Sequence, residues 1–209
     1  MSRQPPQFNL VDEPWIPCVM PDGTAHELSL RETLARAAEI RELSDPSPAV
    51  TVALHRLLLA VLHRSLQGPD SAEAWHAIWT GGAFDMQQVG GYLDAWRHRF
   101  DLFDAEHPFY QDHSLDIASA KPIARMVFGL TLGNYVTLFD HTTKVQSAAL
   151  SPAQAARQLI AFHIFTLGGK VGLTGGDSAS GGPLATAAVT VVNGDNLFQT
   201  LMLNLHQYL

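Results

Sequence analysis

The candidate functional segments lie within residues 133–183, which hold a polar, aromatic-anchored loop, one helix and a glycine-rich loop. The tripeptide at 139–141, Phe-Asp-His, places a carboxylate beside an imidazole, as metal sites and hydrolases do. Its order is Asp-His, whereas phosphohydrolases use His-Asp, and His107, His113 and His163 lack the H-x-x-x-H spacing of metal ligands. The chain also has no G-x-S-x-G elbow for a catalytic serine. We therefore predict no catalytic residue, no metal site and no cofactor.

A second candidate is the glycine loop, Gly168–Gly182, which contains seven glycines. A Walker A loop requires G-x-x-x-x-G-K-[ST], but Ile164 occupies the first glycine position and Val171 follows Lys170. A Rossmann G-x-G-x-x-G pattern is also absent. Glycines do allow close backbone approach, so this loop can lie against a sugar-phosphate strand, with Lys170 meeting a phosphate. The alternative is a linker that contacts nothing.

One well-signalled helix separates these two segments. Ser151 and Gln154 form a Ser-x-x-Gln capping box, Pro152 suits the first helical position, and Gly168 offers a stop. The apolar residues that recur at helical spacing are Ala155, Leu159, Phe162 and Phe165. A rigid helix can hold both irregular segments near one end of a packed core, and loops on rigid scaffolds commonly bind ligands. Two ordinary surface loops are the alternative.

Composition describes a folded protein of one domain. A chain of 209 residues can bury about 70 % of its unfolded surface. Its hydrophobic content of 46 % and charged content of 16 % exclude a disordered protein. The net charge of −7 argues against a free-standing nucleic-acid binder, which is usually basic. It leaves open a subunit that contacts nucleic acid locally while neighbouring subunits carry most phosphate contacts.

No segment predicts secretion or a membrane span. The N-terminus lacks the apolar region of a signal peptide, and the apolar stretch Ala53–Leu62 is interrupted by His55 and Arg56. The single cysteine, Cys18, excludes an internal disulfide and fits a reducing cytoplasm. We expect Cys18 to be a small core residue beside Trp15.

The remaining patterns predict an α+β fold, mostly helical, with short strands and long irregular loops. The predicted strands are Phe8–Val11, Trp15–Val19, Ala25–Leu28, Ile123–Leu132 and Leu184–Val192. Pro14 and Pro17 suggest that the first strands lie at a sheet edge or form a strongly bent ribbon. The predicted helices outside the central one are Leu30–Leu43 with a Ser29/Glu32 capping box, Ala49–Leu66, a short helix ending at Gly81, Asp85–Phe100 and Leu197–Leu209. For residues 107–111, HPFYQ, a core-packing turn is favoured over an aromatic binding surface.

Six segments resemble the large subunit of Cascade, the type I-E CRISPR surveillance complex. They are Phe8–Val19, Arg56–Arg64, Ala105–Gln111, Gly133–Thr142, Leu150–Gly169 and Val191–Leu205, in the family's order. The resemblance covers nearly all 209 residues but only the N-terminal part of the family. Residues 1–209 are therefore expected to be an incomplete N-terminal domain without the family's C-terminal four-helix bundle. The apolar helix that reaches Leu209 without a C-cap agrees with this expectation.

The resemblance implies a non-enzymatic, cytoplasmic subunit that works with the other Cascade subunits. In that family, the large subunit holds the 5′ handle of the CRISPR RNA and inspects double-stranded target DNA for the protospacer-adjacent motif. It also helps to open the duplex and to recruit a helicase-nuclease. The protein reads a short motif, and base pairing reads the rest of the target.

The resemblance implies that two loops of this chain contact nucleic acid. The family's handle-contacting loop falls on Asn134–Lys144, where Phe139 would stack on a base or fix the loop and Lys144 would meet a phosphate. The hydrogen-bonding residues there would be Asn134, Asp140, His141 and Thr142. The family's DNA-facing loop falls on the glycine loop, through Gly168, Gly169, Lys170, Gly172, Gly175 and Gly176. The family's further DNA-probing elements, a basic residue and a strand-parting wedge, have no counterpart in this sequence.

Two other functions remain as alternatives. A small hydrolase would use Asp140 and His141 and would act without RNA. A structural adaptor would use its loops to bind protein only and would be indifferent to loss of the Phe139 ring.

Overall fold

The computed structural model describes residues 6–115, 123–127, 149–169 and 180–207. Across these ranges the chain forms six α-helices and one three-stranded antiparallel sheet, which confirms the predicted α+β class. The strands are β1 (Ile16–Val19), β2 (Ala25–Leu28) and β3 (Glu42–Leu43). The helices are α1 (Leu30–Ala35), α2 (Pro48–Leu66), α3 (Ala72–Gly81), α4 (Met86–Trp96), α5 (Pro152–Phe165) and α6 (Leu197–Asn204).

The sheet order is β2-β1-β3, so the strand that contains Pro17 is central. Of the two alternatives predicted from the prolines, the edge strand is therefore wrong for β1. Strand β3 pairs only with Cys18 and Val19, and the carbonyl oxygen of Pro17 accepts from the backbone N–H of Ser44 (3.1 Å) just beyond it. Because this pairing stops beside Pro17, the N–H that proline lacks is not needed in the ladder.

Two segments predicted as strands have other structures. In Phe8–Val11 only Asn9 forms an isolated bridge, to Asp101, before the chain turns. Ile123–Met126 is a 3-10 turn, and residues 128–132 lie outside the described part of the chain. Apolar and β-branched residues favour half-buried positions. Turns packed on a core also offer such positions, so composition alone did not identify strands here.

Leu184–Val192 is likewise not a strand. The backbone N–H of Val192 donates to the side-chain oxygen of Asn204 (3.1 Å), and the Asn204 amide donates to the Val192 carbonyl (2.7 Å). One asparagine side chain thus satisfies backbone groups that a neighbouring strand would otherwise pair.

Helices α1 and α6 end well before their predicted ends, and α4 ends at Trp96 where Phe100 was predicted. Helix α1 stops at Ala35 and residues Glu42–Leu43 join the sheet as β3, so the predicted extension to Leu43 was wrong. Helix α6 ends at Asn204, where the N–H of Leu205 donates to the Met202 carbonyl (3.2 Å), and does not continue through Leu205–Gln207.

Helix α2 is the centre of the core, as its wide apolar face predicts. It contacts α4, α5 and α6. Its buried residues are Val50, Ala53, Leu54, His55, Leu57, Leu58, Val61 and Leu62. By length and composition alone α2 could cross a membrane, but a core helix passes the same test, and α2 is packed on three helices. Cys18 and Trp15 are also buried, as predicted.

Candidate functional site

Helix α5 connects the two candidate segments and is fixed at its N-terminus by its own residues. The capping box is present: the Ser151 hydroxyl accepts from the Gln154 N–H (3.2 Å), and the Gln154 side chain accepts from the Ser151 N–H (3.0 Å). Pro152 occupies the first turn, and the helix ends at Phe165, before the predicted stop at Gly168. Fourteen residues span about 21 Å at 1.5 Å per residue, so the two ends of α5 are about that far apart.

Arg157, in the middle of α5, ties this helix to the sheet. Its guanidinium donates to the Trp15 carbonyl (2.7 Å) and pairs with Glu27 (2.6 Å) and Asp45 (3.2 Å). The side chains of Arg157 and Asp45 are only 10 % and 7 % exposed, so this is a buried pair with its hydrogen bonds made. No sequence signal marks Arg157, because a lone arginine on a helix usually faces water.

The two ends of the glycine loop meet at the C-terminus of α5. The N–H of Gly182 donates to the Thr166 carbonyl (2.8 Å), and the N–H of Leu184 donates to the Ile164 carbonyl (3.0 Å). A Cβ at Gly182 would lie 2.4 Å from the Ile164 oxygen and 2.8 Å from the His163 oxygen. Because backbone atoms occupy that space, only glycine allows the returning chain to pack there. We call this closure the loop stem.

The structure places only part of the predicted site. Gly168 is exposed, and Gly169 has a φ of +136°, a value that glycine adopts without strain. The predicted glycine-loop residues Lys170, Gly172, Gly175 and Gly176 lie outside the described residues. The same holds for the predicted handle residues Asn134, Phe139, Asp140, His141, Thr142 and Lys144. Their assignments stay predictions.

An open groove of about 970 Å³ lies beside the loop stem. On one wall the ring of Tyr110 is 5.3 Å from the ring of His163, and His163 Nε2 donates to the Tyr110 carbonyl (2.8 Å). Behind Tyr110, Phe109 is buried and stacks on Phe100 at 5.5 Å. The groove is also lined by Trp96, which is 44 % exposed. The segment at 107–111 therefore supplies both a core residue and an exposed ring.

No metal or acid–base centre is evident in the described ranges. They contain no group of three histidine, cysteine or acidic side chains that could hold a metal ion. Burial lowers the pKa of His55 and of His63, which favours their neutral forms. Burial also raises the pKa of Cys18 to about 11, so its thiol is protonated and unreactive at neutral pH.

Comparison with known proteins identifies the family. The model of the family described as CRISPR-associated protein Cse1 matches residues 9–208. The chain belongs to the Cse1 family. This confirms the resemblance drawn from six segments of the sequence.

Comparison with known Cse1 proteins shows how much of their length this chain covers. The chain is 42 % identical over 202 residues to CasA/Cse1 of Thermus thermophilus, covering 97 % of this chain and 40 % of that protein. A solved structure of Thermus thermophilus CasA (Cse1) matches with a TM-score of 0.84 and 38 % identity, over 96 % of this chain and 40 % of that one. The chain thus spans about two fifths of the length of these Cse1 relatives.

A further match comes from an assembly. A chain in a solved structure described as a CRISPR RNA-guided surveillance complex aligns with a TM-score of 0.79 and 26 % identity. It covers 95 % of this chain and 43 % of that one. The fold described above therefore occurs in a chain of an RNA-guided surveillance complex.

Proposed function

We propose that the chain acts as the N-terminal domain of the large subunit of a cytoplasmic, RNA-guided antiviral complex, with no catalytic role of its own. The observation that carries this proposal is membership of the Cse1 family along nearly the whole chain. The match to a chain in an RNA-guided surveillance complex supports assembly with CRISPR RNA and the other Cascade subunits.

In this proposal, Asn134–Lys144 contacts the 5′ handle of the CRISPR RNA. The assignment rests on sequence resemblance to the family. A loop of this composition recognises single-stranded RNA by stacking and hydrogen bonding, with Phe139 as the stacking ring and Lys144 as the phosphate partner. The alternative hydrolase would use Asp140 and His141 of the same loop.

The glycine loop is proposed to face double-stranded target DNA at the protospacer-adjacent motif. Its stem supports this role, because Gly182 packs against carbonyl groups at the end of α5 and holds the base of the loop closed. A glycine-rich backbone emerging from a rigid base can approach a groove closely, with Lys170 near a phosphate. Recruitment of the helicase-nuclease after target binding is proposed for the whole large subunit.

The test is duplex binding by an RNA-loaded Cascade that lacks its large subunit, with and without the full-length protein. Two duplexes, one with a permissive adjacent motif and one with a disrupted motif, are compared at a fixed salt concentration, because phosphate contacts make affinity salt-dependent. We expect the protein to tighten binding to the permissive duplex only. Addition of the 209-residue chain then measures how much of this effect the described fold carries.

The variant Phe139→Ala separates the handle role from the alternatives. We expect it to weaken assembly while the circular dichroism spectrum stays unchanged. Unfolding would show that Phe139 is a core residue. Unchanged assembly would favour a protein-binding adaptor, and RNA-independent hydrolysis lost in His141→Ala would favour the enzyme.

A further inference from the structure

The groove beside the loop stem has the features of a site for a flat ligand. Its volume of about 970 Å³ lies at the upper end of the range of about 300–1,000 Å³ for small-ligand sites. Two of its aromatic rings are unusually open to solvent, with Trp96 44 % and Tyr110 50 % exposed. Trp96 also stacks on His98 at 6.1 Å, and Tyr110 contacts His163, so each exposed ring already belongs to an aromatic pair that a flat ligand can extend.

Tyr110 is exposed although its backbone adopts a strained conformation. Its φ is +53°, in the left-handed region that a bulky aromatic residue rarely adopts. The hydrogen bond from His163 to its carbonyl and the buried Phe109–Phe100 stack behind it stabilise this conformation. Strained backbone that presents a side chain to solvent is characteristic of binding sites.

The groove also offers a cation. Arg99 lines it, is exposed, and makes no ion pair with any other described residue. The acidic residue that lines the groove, Asp112, has its carboxylate engaged by the N–H and hydroxyl of Ser114 at 2.9 and 2.6 Å. A phosphate near Arg99 would therefore find an available partner, and its charge complements the guanidinium.

The groove adjoins the proposed DNA-facing loop. His163 forms part of the groove through its ring, and its carbonyl oxygen is one of the atoms against which Gly182 packs. A nucleic-acid strand leaving the loop stem thus meets the groove within one helical turn of α5. Because the groove adjoins the proposed DNA-facing loop, we choose DNA over other flat ligands. This step rests on the proposed function.

We propose that this groove binds an unpaired nucleotide of single-stranded DNA next to the duplex contacted by the glycine loop. The base stacks on Tyr110 and Trp96, and the phosphate meets Arg99. Stacking on aromatic side chains is tolerant of sequence, because every base has a π-face. The site would thus capture a strand as the duplex opens, without reading its letters.

The test measures binding of a fluorescein-labelled oligothymidylate to the 209-residue chain by anisotropy. Tyr110→Asn removes the ring, and asparagine tolerates the positive φ, so the variant should fold. We expect Tyr110→Asn and Trp96→Ala each to weaken binding about tenfold. Tyr110→Phe should stay within about twofold, because the stacking ring remains. Phe103→Ala is the matched control, since Phe103 is 38 % exposed but lies outside the groove.

Two further readouts report the stacking and the phosphate contact separately. Tryptophan fluorescence should be quenched by the oligonucleotide in the wild type and much less in Trp96→Ala. With one phosphate contact, the log–log salt dependence should have a slope of about −0.7, far shallower than for a basic binding protein. Arg99→Gln should flatten it further.

Three results would overturn the proposal: no oligothymidylate binding by the wild-type chain, equal binding by the groove variants and Phe103→Ala, or tighter binding of oligouridylate. The last would assign the groove to RNA. Failure here is distinguishable from failure of the proposed function, which is measured on duplex DNA with the RNA-loaded complex and does not require the exposed rings.

Discussion

Replacement of Gly182 by alanine adds one methyl group where the structure has no space for it. The new Cβ would lie 2.4 Å from the Ile164 oxygen, 2.6 Å from the Ile164 carbonyl carbon and 2.8 Å from the His163 oxygen. All three atoms belong to the backbone of α5, so no side-chain rotation can relieve the overlap. Either the helix end or the returning chain must move.

The magnitude follows from what this movement breaks. Overpacking costs typically about 1–3 kcal/mol. The hydrogen bonds from Gly182 to Thr166 (2.8 Å) and from Leu184 to Ile164 (3.0 Å) are worth about 1 kcal/mol each. Since movement that relieves the overlap also breaks these bonds, we expect a loss of about 2–4 kcal/mol. For a chain of this size that lowers the melting temperature by roughly 5–15 °C.

Thermal denaturation and amide hydrogen exchange measure this loss together. If only the loop stem opens, the melting temperature falls less, but the amides of Gly182 and Leu184 exchange faster, by about tenfold for each 1.4 kcal/mol. Gly91→Ala is the matched control, because Gly91 is exposed on α4 and an added Cβ meets nothing within 4 Å. That substitution should stabilise the protein by about 0.5–1 kcal/mol.

The reasoning is refuted if Gly182→Ala leaves both the melting temperature and the exchange of these amides unchanged. The loop stem would then not be packed against α5. If the stem opens but the RNA-loaded complex still discriminates the two duplexes, the stem is real and the DNA-facing role of the glycine loop is wrong.

Three other predictions concern the core. Arg157→Met should lower the free energy of unfolding by about 3–5 kcal/mol in chemical denaturation, because buried Asp45 loses its partner, and adding Asp45→Asn should recover part of it. Burial holds the pKa of His55 below its ordinary 6.5, so the unfolded state binds more protons and stability falls as pH drops below 6.5; His55→Gln should reduce this dependence in melting curves. Cys18, 1 % exposed with a pKa of about 11, should react with a disulfide reagent only in denaturant, and labelling of the native protein would contradict its burial.

Helix starts were predictable from sequence because their signals are local. The capping boxes at Ser29 and Ser151 are both present, since each needs only residues three positions apart. Helix ends were less predictable. The region after α1 accepts hydrogen bonds from α6, with the Leu197 N–H donating to the Ile40 carbonyl (2.8 Å). A partner so far along the chain leaves no local signal, so α1 was predicted too long.

The candidate site was predictable only in part, for a related reason. Composition identified the glycine loop, but the meeting of Gly182 with the end of α5 depends on the folded path of the chain. In the segment at 107–111 the sequence cannot tell that Phe109 is buried while Tyr110, its neighbour, is exposed. That difference comes from the positive φ of Tyr110 and its bond to His163. Positive φ is rarely signalled by an aromatic residue.

Helix α5 gives the two candidate surfaces a common support with separable controls. Arg157 fixes the middle of the helix to the sheet, so Arg157→Met should disturb both the segment that enters α5 and the loop that leaves it. Gly182 packs against the last turn of α5, so Gly182→Ala should disturb the loop stem and the adjoining groove first. A complex that loses duplex discrimination with Gly182→Ala but keeps its RNA therefore separates the DNA contact from the RNA contact. Loss of both with Gly182→Ala would mean that the two contacts share the C-terminal end of α5.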